Sequence, residues 1–138
     1  MSDPEVVTAT ITIAAPPEAV FPYLVEPALF VQWLGDAAQL APEPGGVFAL
    51  DMGNTLVRGS YLAVEPPTRV VFTWGILDSA TLPVGSTTVE ILLRADGANT
   101  IVELTHRDLP AEWRPRHQDW TRHLETLSRT TGSRSASG

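Results

Sequence analysis

A helical stripe of apolar and aromatic residues runs through the C-terminal part of the chain, behind a start signal at Pro110 and Glu112. Its members are Trp113, His117, Trp120, Leu124 and Leu127. Spacings of three and four residues place these side chains on one face of a helix of roughly four turns. The stripe therefore predicts one long helix, which is the only large element left to cover the rest of the fold.

Most of the preceding chain alternates apolar and polar residues with a period of two, which is typical of half-buried strands. The predicted strands are 6–13, 47–52, 55–64, 69–76, 86–93 and 100–106. Turn signals such as Gly53-Asn54 separate the later strands, as in hairpins. Two short helices are predicted, one through 19–24 and one after Pro27.

These elements predict an α+β fold, in which a curved antiparallel sheet and two short helices wrap around the long C-terminal helix. A twisted sheet need not close fully on one helix, so we expect a small-molecule cavity between the two. The expected domain spans residues 1–127, and the small, polar residues 128–138 are expected to form a flexible tail.

Composition excludes several classes of function. The chain has 138 residues and no cysteine, which suits one domain and removes disulfides, thiolate metal sites and cysteine nucleophiles. Lysine is also absent, so Schiff-base chemistry is excluded. A net charge of −7 argues against nucleic-acid and anionic-membrane partners. We expect a cytoplasmic protein, monomeric or weakly dimeric, without cofactor or metal.

Several short motifs follow one another in a familiar order across nearly the whole chain. They are 13–21 (IAAPPEAVF), 44–48 (PGGVF), 58–59 (RG) before 64–67 (VEPP), 71–75 (VFTWG), 104–106 (LTH) and 117–120 (HQDW) before Leu124. Together they resemble the helix-grip superfamily of START and Bet v 1-like domains, and within it the branch related to the Hsp90 ATPase activator Aha1. Asp119 departs from the glycine that this branch often has there.

The resemblance implies an internal hydrophobic cavity, usually for a lipid-like, polyketide or aromatic molecule. Proteins of this superfamily include ligand carriers, polyketide aromatases and cyclases, resistance proteins that sequester metabolites, and co-chaperone domains. Because one fold serves all of these roles, it does not decide among them.

Residues that periodicity turns towards the interior are the ligand-binding candidates. The apolar ones are Trp33, Phe48, Leu50, Phe72, Trp74, Trp113 and Trp120. For any single aromatic residue ordinary core packing is favoured, but four tryptophans exceed what a core of this size requires. We therefore expect some of them to line a cavity.

Three polar candidates accompany them. His106 and His117 should point between sheet and helix, where they could contact a ligand, move protons or simply fix helix to sheet. Two histidines without a third ligand make a poor metal site. Arg58 shares a strand face with Leu56 and other apolar residues, which would turn it inward, but a bulge at Gly59 would expose it. The exposed placement is favoured.

Three functions remain open. The preferred one is a noncatalytic protein that binds an apolar, aromatic or polyketide-like molecule, with His106 and His117 as polar contacts, and that sequesters it or confers resistance. The alternative is a cyclase or aromatase in which a histidine moves protons, although no constellation of catalytic residues is visible. A co-chaperone module ranks lowest, since nothing in the sequence marks an interaction patch.

Overall fold

Alternating segments and proline-led turns build seven strands and four helices in the computed structural model, which describes residues 6–111 and 120–137, with side chains through residue 131. The strands are β1 (Val6–Ile13), β2 (Ala37–Leu40), β3 (Val47–Met52), β4 (Thr55–Glu65), β5 (Arg69–Trp74), β6 (Thr87–Asp96) and β7 (Asn99–Arg107). The helices are α1 (Pro17–Val20), α2 (Pro22–Val25), α3 (Pro27–Phe30) and α4 (Trp120–Ser137).

The strands form a single curved sheet in the order β1-β7-β6-β5-β4-β3-β2, and every neighbouring pair is antiparallel. Helix α4 packs beside β1, and α2 packs against α3. The predicted α+β fold is therefore confirmed: short helices and one C-terminal helix accompany a curved antiparallel sheet.

Alternation along each strand decides which residues enter the core. In β6 and β7 the side chains that alternate inward are almost fully buried, and they include the polar residues Thr87, Thr100 and His106. In β4 the buried residues are Val57 and Tyr61. The inner face of the sheet is thus apolar with a few polar positions, and two of these, Thr87 and His106, belong to the candidate site.

Arg58 illustrates a correction to the predicted facing. Its strand neighbours suggested an inward side chain, but Val57 and Tyr61 enter the core, and Arg58 lies between them on the outer face. The irregular pairing of β4 with β5 falls between Tyr61 and Ala63, not at Gly59. The half-buried Arg58 side chain lies on the outer face, and ordinary strand alternation places it there rather than a bulge at Gly59.

The C-terminal helix differs from the prediction at its end. It continues to Ser137, whereas the apolar stripe indicated an end near Leu127. Thr131 extends the stripe by a further four residues and is 2% exposed. Its hydroxyl donates to the Leu127 carbonyl oxygen at 2.8 Å, which satisfies the polar side chain within the helix. The predicted helix start combines Pro110, which is described, with Glu112, which lies outside the described residues. Where the helix begins therefore stays a prediction.

Candidate functional site

Aromatic rings contact one another in an unbroken series across the inner face of the sheet. Trp33 lies 4.9 Å from Phe30 and Phe30 lies 5.7 Å from Phe48, as measured between ring centroids. Phe48 then stacks on Phe72 at 4.0 Å with an interplanar angle of 11°. Phe72 leads on to Trp74 at 6.5 Å. Four of the predicted candidates therefore belong to one continuous aromatic surface.

Helix α4 meets this surface at its far end. The Trp120 ring lies 5.3 Å from Trp74 and 5.9 Å from His106, with its plane steeply inclined to both. All three residues are at most 3% exposed. Trp120 therefore joins helix α4 to the aromatic surface of the sheet.

Hydrogen bonds fix the orientation of His106 within this cluster. Thr87 Oγ1 donates to the Trp74 carbonyl oxygen at 2.6 Å and lies 2.8 Å from His106 Nε2. Trp120 Nε1 donates to His106 Nδ1 at 3.1 Å. The indole can only donate, and the threonine proton is already used, so Nδ1 accepts and Nε2 donates. His106 is therefore a neutral imidazole protonated on Nε2.

This arrangement limits the chemistry that His106 can perform. Its lone pair accepts from Trp120 and its proton points at Thr87, so a general base would first have to break a buried hydrogen bond. The geometry instead holds the Trp120 ring against Trp74. Of the roles open to His106, fixing helix to sheet agrees best with these contacts.

The opposite end of the aromatic surface is attached to helix α2. Trp33 Nε1 donates to the Tyr23 carbonyl oxygen at 2.9 Å, and the Tyr61 hydroxyl donates to the Leu24 carbonyl oxygen at 3.2 Å. Burial raises the pKa of Tyr61 well above its ordinary value, so this hydroxyl stays neutral. The Tyr23 hydroxyl is buried without a hydrogen-bond partner among the described residues.

The remaining candidates are distributed as follows. Leu50 is fully buried in the same core as the aromatic residues. Trp113 and His117 lie outside the described residues, so their contact with a ligand stays a prediction. Arg58 lies on the outer face, where Nη1 is 3.0 Å from Asp51 Oδ1, in a groove of about 150 Å³. That volume is below the roughly 300 Å³ at which ordinary ligand pockets begin.

The described part of the chain lacks two further features. It holds no group of three or more His, Cys, Asp or Glu side chains placed to bind a metal ion. None of its helices has the length and apolar character needed to cross a membrane.

Three residues of the site escaped the sequence reasoning. Thr87 lies on the same face of β6 as the buried apolar residues, and Tyr61 lies on the same face of β4 as Val57. Strand periodicity therefore carried a signal for both. Tyr23 lies in a helix of one turn, which is too short to show a periodic pattern. Its role depends on tertiary packing and left no local signal.

Comparisons with known proteins agree with this architecture. Residues 14–132 match the family model of Activator of Hsp90 ATPase homolog 1-like proteins, AHSA1. No curated protein matches the chain.

Three solved structures illustrate the likeness. An AHSA1-like protein from Rhizobium etli is 33% identical, with a TM-score of 0.73 over 96% of this chain and 84% of that one. An Hsp90 activator from Plasmodium falciparum is 21% identical, with a TM-score of 0.72 over 92% of this chain and 96% of that one. DynU16, from the dynemicin biosynthetic locus, is 19% identical, with a TM-score of 0.79 over 92% of this chain and 47% of that one. The family match covers most of the chain, and the chain therefore belongs to the AHSA1 family, in the Aha1-like branch of the helix-grip superfamily.

Proposed function

We propose that the protein binds an apolar or aromatic small molecule, of the size of a polyketide fragment, between the inner face of the sheet and helix α4. Binding would sequester the molecule without changing it chemically. The continuous aromatic surface from Trp33 to Trp120 supports this proposal, because flat rings offer large contact areas at a low cost in conformational entropy.

The contact between Trp74 and Trp120 carries the proposal. The two rings belong to different elements, a strand and a helix, and lie 5.3 Å apart. A flat ligand that enters between sheet and helix would replace ring-to-ring contacts with ring-to-ligand contacts of the same kind. Little apolar surface would be exposed in that exchange, so the free energy of opening would be small compared with the burial of the ligand.

The hydrogen bonds of His106 favour binding over catalysis. A cyclase or aromatase needs a group that moves protons, and the lone pair and proton of His106 are both engaged within the protein. The fold shared with DynU16, from a biosynthetic locus, supports natural-product intermediates as the ligands to test first. It does not by itself require a reaction.

A calorimetric titration with 2-ethylnaphthalene tests the proposal. The wild-type protein should bind it, and saturating ligand should raise the melting temperature because only the folded state binds. Trp120→Leu should weaken binding about tenfold, because it removes a stacking partner. Arg58→Ala, on the outer face, is the matched control and should bind like the wild type.

The opposite result would overturn this proposal. If the wild-type protein bound neither 2-ethylnaphthalene nor a series of larger fused-ring compounds, and native mass spectrometry of freshly purified protein showed no retained small molecule, then a binding function would be excluded. Circular dichroism on each variant would separate a lost contact from a lost fold.

Hsp90 activation is the second candidate. Membership of the AHSA1 family favours it, as does the fold shared with the P. falciparum Hsp90 activator. An ATPase assay on Hsp90 with increasing amounts of the protein separates the two functions. A saturable stimulation would establish the co-chaperone role, whereas an unchanged ATPase rate would leave ligand binding as the function to pursue.

A further inference from the structure

Tyr23 carries a buried hydroxyl without a hydrogen-bond partner among the described residues. The residue is 3% exposed and belongs to the core cluster. Buried polar groups are nearly always paired, because an unpaired one has lost its hydration and gained nothing in exchange. A hydroxyl left in this state therefore indicates a partner that is not part of the polypeptide.

Helix α2 is firmly held, so disorder does not explain the unpaired hydroxyl. The carbonyl oxygen of Tyr23 accepts from Trp33 Nε1 at 2.9 Å, and the next carbonyl, that of Leu24, accepts from the Tyr61 hydroxyl at 3.2 Å. The two donors sit on different elements around the aromatic surface. They fix the backbone of Tyr23, whose hydroxyl has no hydrogen-bond partner among the described residues.

We propose that the Tyr23 hydroxyl donates a hydrogen bond to the bound ligand, and that the site therefore selects flat apolar molecules that carry a neutral carbonyl oxygen. This inference rests on the proposed binding function and specifies the class of ligand. Tyr23 fixes the polar end of the molecule, and the aromatic surface holds its apolar body.

The charges of the core favour a neutral acceptor over a carboxylate. The buried polar side chains of the described residues are threonines and His106, apart from the tyrosine and tryptophan groups named above, and no arginine is among them. His106 is held neutral by its hydrogen bonds. Among the described residues an anionic ligand would therefore meet no counter-charge in the apolar interior, and burying it there costs far more than one hydrogen bond returns.

A matched pair of ligands tests the hydrogen bond directly. The probes 2-acetylnaphthalene and 2-ethylnaphthalene have nearly the same shape, but only the first carries a carbonyl oxygen. In calorimetric titrations the wild type should prefer the ketone. Tyr23→Phe should lower the affinity for the ketone roughly three- to tenfold, the value of one neutral hydrogen bond, and leave the affinity for 2-ethylnaphthalene unchanged.

Thr100→Val is the matched control, because it removes a buried hydroxyl that donates to the Ala15 carbonyl oxygen of the protein at 2.7 Å. It should lower the melting temperature and leave the ratio of the two affinities as in the wild type. Tyr23→Phe, in contrast, removes no hydrogen bond of the ligand-free protein. Its melting temperature should equal or exceed that of the wild type, which shows that the variant folds.

The outcomes distinguish the two proposals. If the wild type and Tyr23→Phe bound the ketone equally, the inference about Tyr23 would be overturned and the binding function would stand. Equal losses for both probes would also overturn it, because the ring and not the hydroxyl would then make the contact. If neither probe bound the wild type, the inference about Tyr23 would be overturned, whereas the binding function would fail only if the larger fused-ring compounds and native mass spectrometry were negative as well.

Discussion

His106 connects three elements through two ring nitrogens. Thr87 lies on β6, His106 itself on β7, and Trp120 on α4, so one imidazole joins two strands to the helix. Each bond is buried, and each partner would be left without an acceptor or donor if the imidazole were removed. Such a group specifies one packing of helix on sheet, because any shift of the helix would break a hydrogen bond that water cannot replace.

The pairing of His106 with Trp120 predicts strong energetic coupling. His106→Leu preserves much of the volume but leaves the buried indole N–H of Trp120 unpaired, so unfolding free energy should fall by about 2–4 kcal/mol. Trp120→Phe removes that donor. The double variant has no unpaired indole N–H, so its loss of unfolding free energy should be about 1 kcal/mol smaller than the sum of the two single losses. Urea unfolding of the wild type, the two single variants and the double variant measures this difference. Losses that simply add would contradict the hydrogen bond between His106 and Trp120.

At the scale of elements, what could be predicted depended on the length of the periodic pattern. Strands β1, β6 and β7 alternate over eight residues or more, and the sequence predicted each of them as a half-buried strand. Strand β2 has four residues, two of them alanines at an edge of the sheet, which give no apolar contrast. Tyr23 went unrecognised for the same reason, because its helix completes one turn only.

Arg58 shows a different limit. Its own strand face carries Leu56 and Leu62, while the opposite face carries Val57 and Tyr61, so both faces of β4 look apolar. Hydrophobicity alone cannot choose between them. Pairing of β4 with β3 decides the matter, because Arg58 lies opposite Ala49 and beside Asp51, its ionic partner. The pairing of two strands cannot be read from the residues of one of them, so the facing of Arg58 could not be predicted from β4 alone.

Helix α4 leads to a prediction about where the domain ends. The stripe suggested a boundary at 127, whereas Thr131 is buried and bonded within the helix. Thr131→Asp should therefore lower the unfolding free energy by about 3 kcal/mol, because it buries an unpaired charge. Arg129→Asp, two residues earlier and exposed, is the control and should cost ~0.5 kcal/mol. Equal, small effects in thermal unfolding would agree with a domain boundary at 127.

The outer face of the sheet adds a feature of the whole molecule. Glu90 accepts hydrogen bonds from Arg69 at 2.7 Å and from Arg107 at 3.1 Å, and Arg69 also reaches Glu65 at 3.1 Å. These residues lie on β4, β5, β6 and β7, so the network ties together the middle of the sheet. The Glu90 side chain is 15% exposed, which shields it from solvent far better than its partners.

This network makes the stability of the molecule depend on pH. The hydrogen bond from Arg69 lowers the pKa of Glu90 below its ordinary value of 4.5, and Arg107 acts in the same direction. Since the folded-state pKa is the lower one, the stabilisation is fully present above pH 4.5 and is lost as the pH falls through the folded value. At pH 7, Glu90→Gln should therefore cost about 1 kcal/mol of unfolding free energy.

The difference between wild type and Glu90→Gln should shrink as the pH falls below 4.5, because the wild-type carboxylate then takes up a proton as well. Urea unfolding at pH 7, 5, 4 and 3 measures this convergence. Glu103→Gln is the control, since the Glu103 side chain is 37% exposed against 15% for Glu90, and its partner Arg94 is 59% exposed, so its effect should be smaller at every pH. A constant difference for Glu90→Gln down to pH 3 would show that the variant perturbs packing and that charge contributes little.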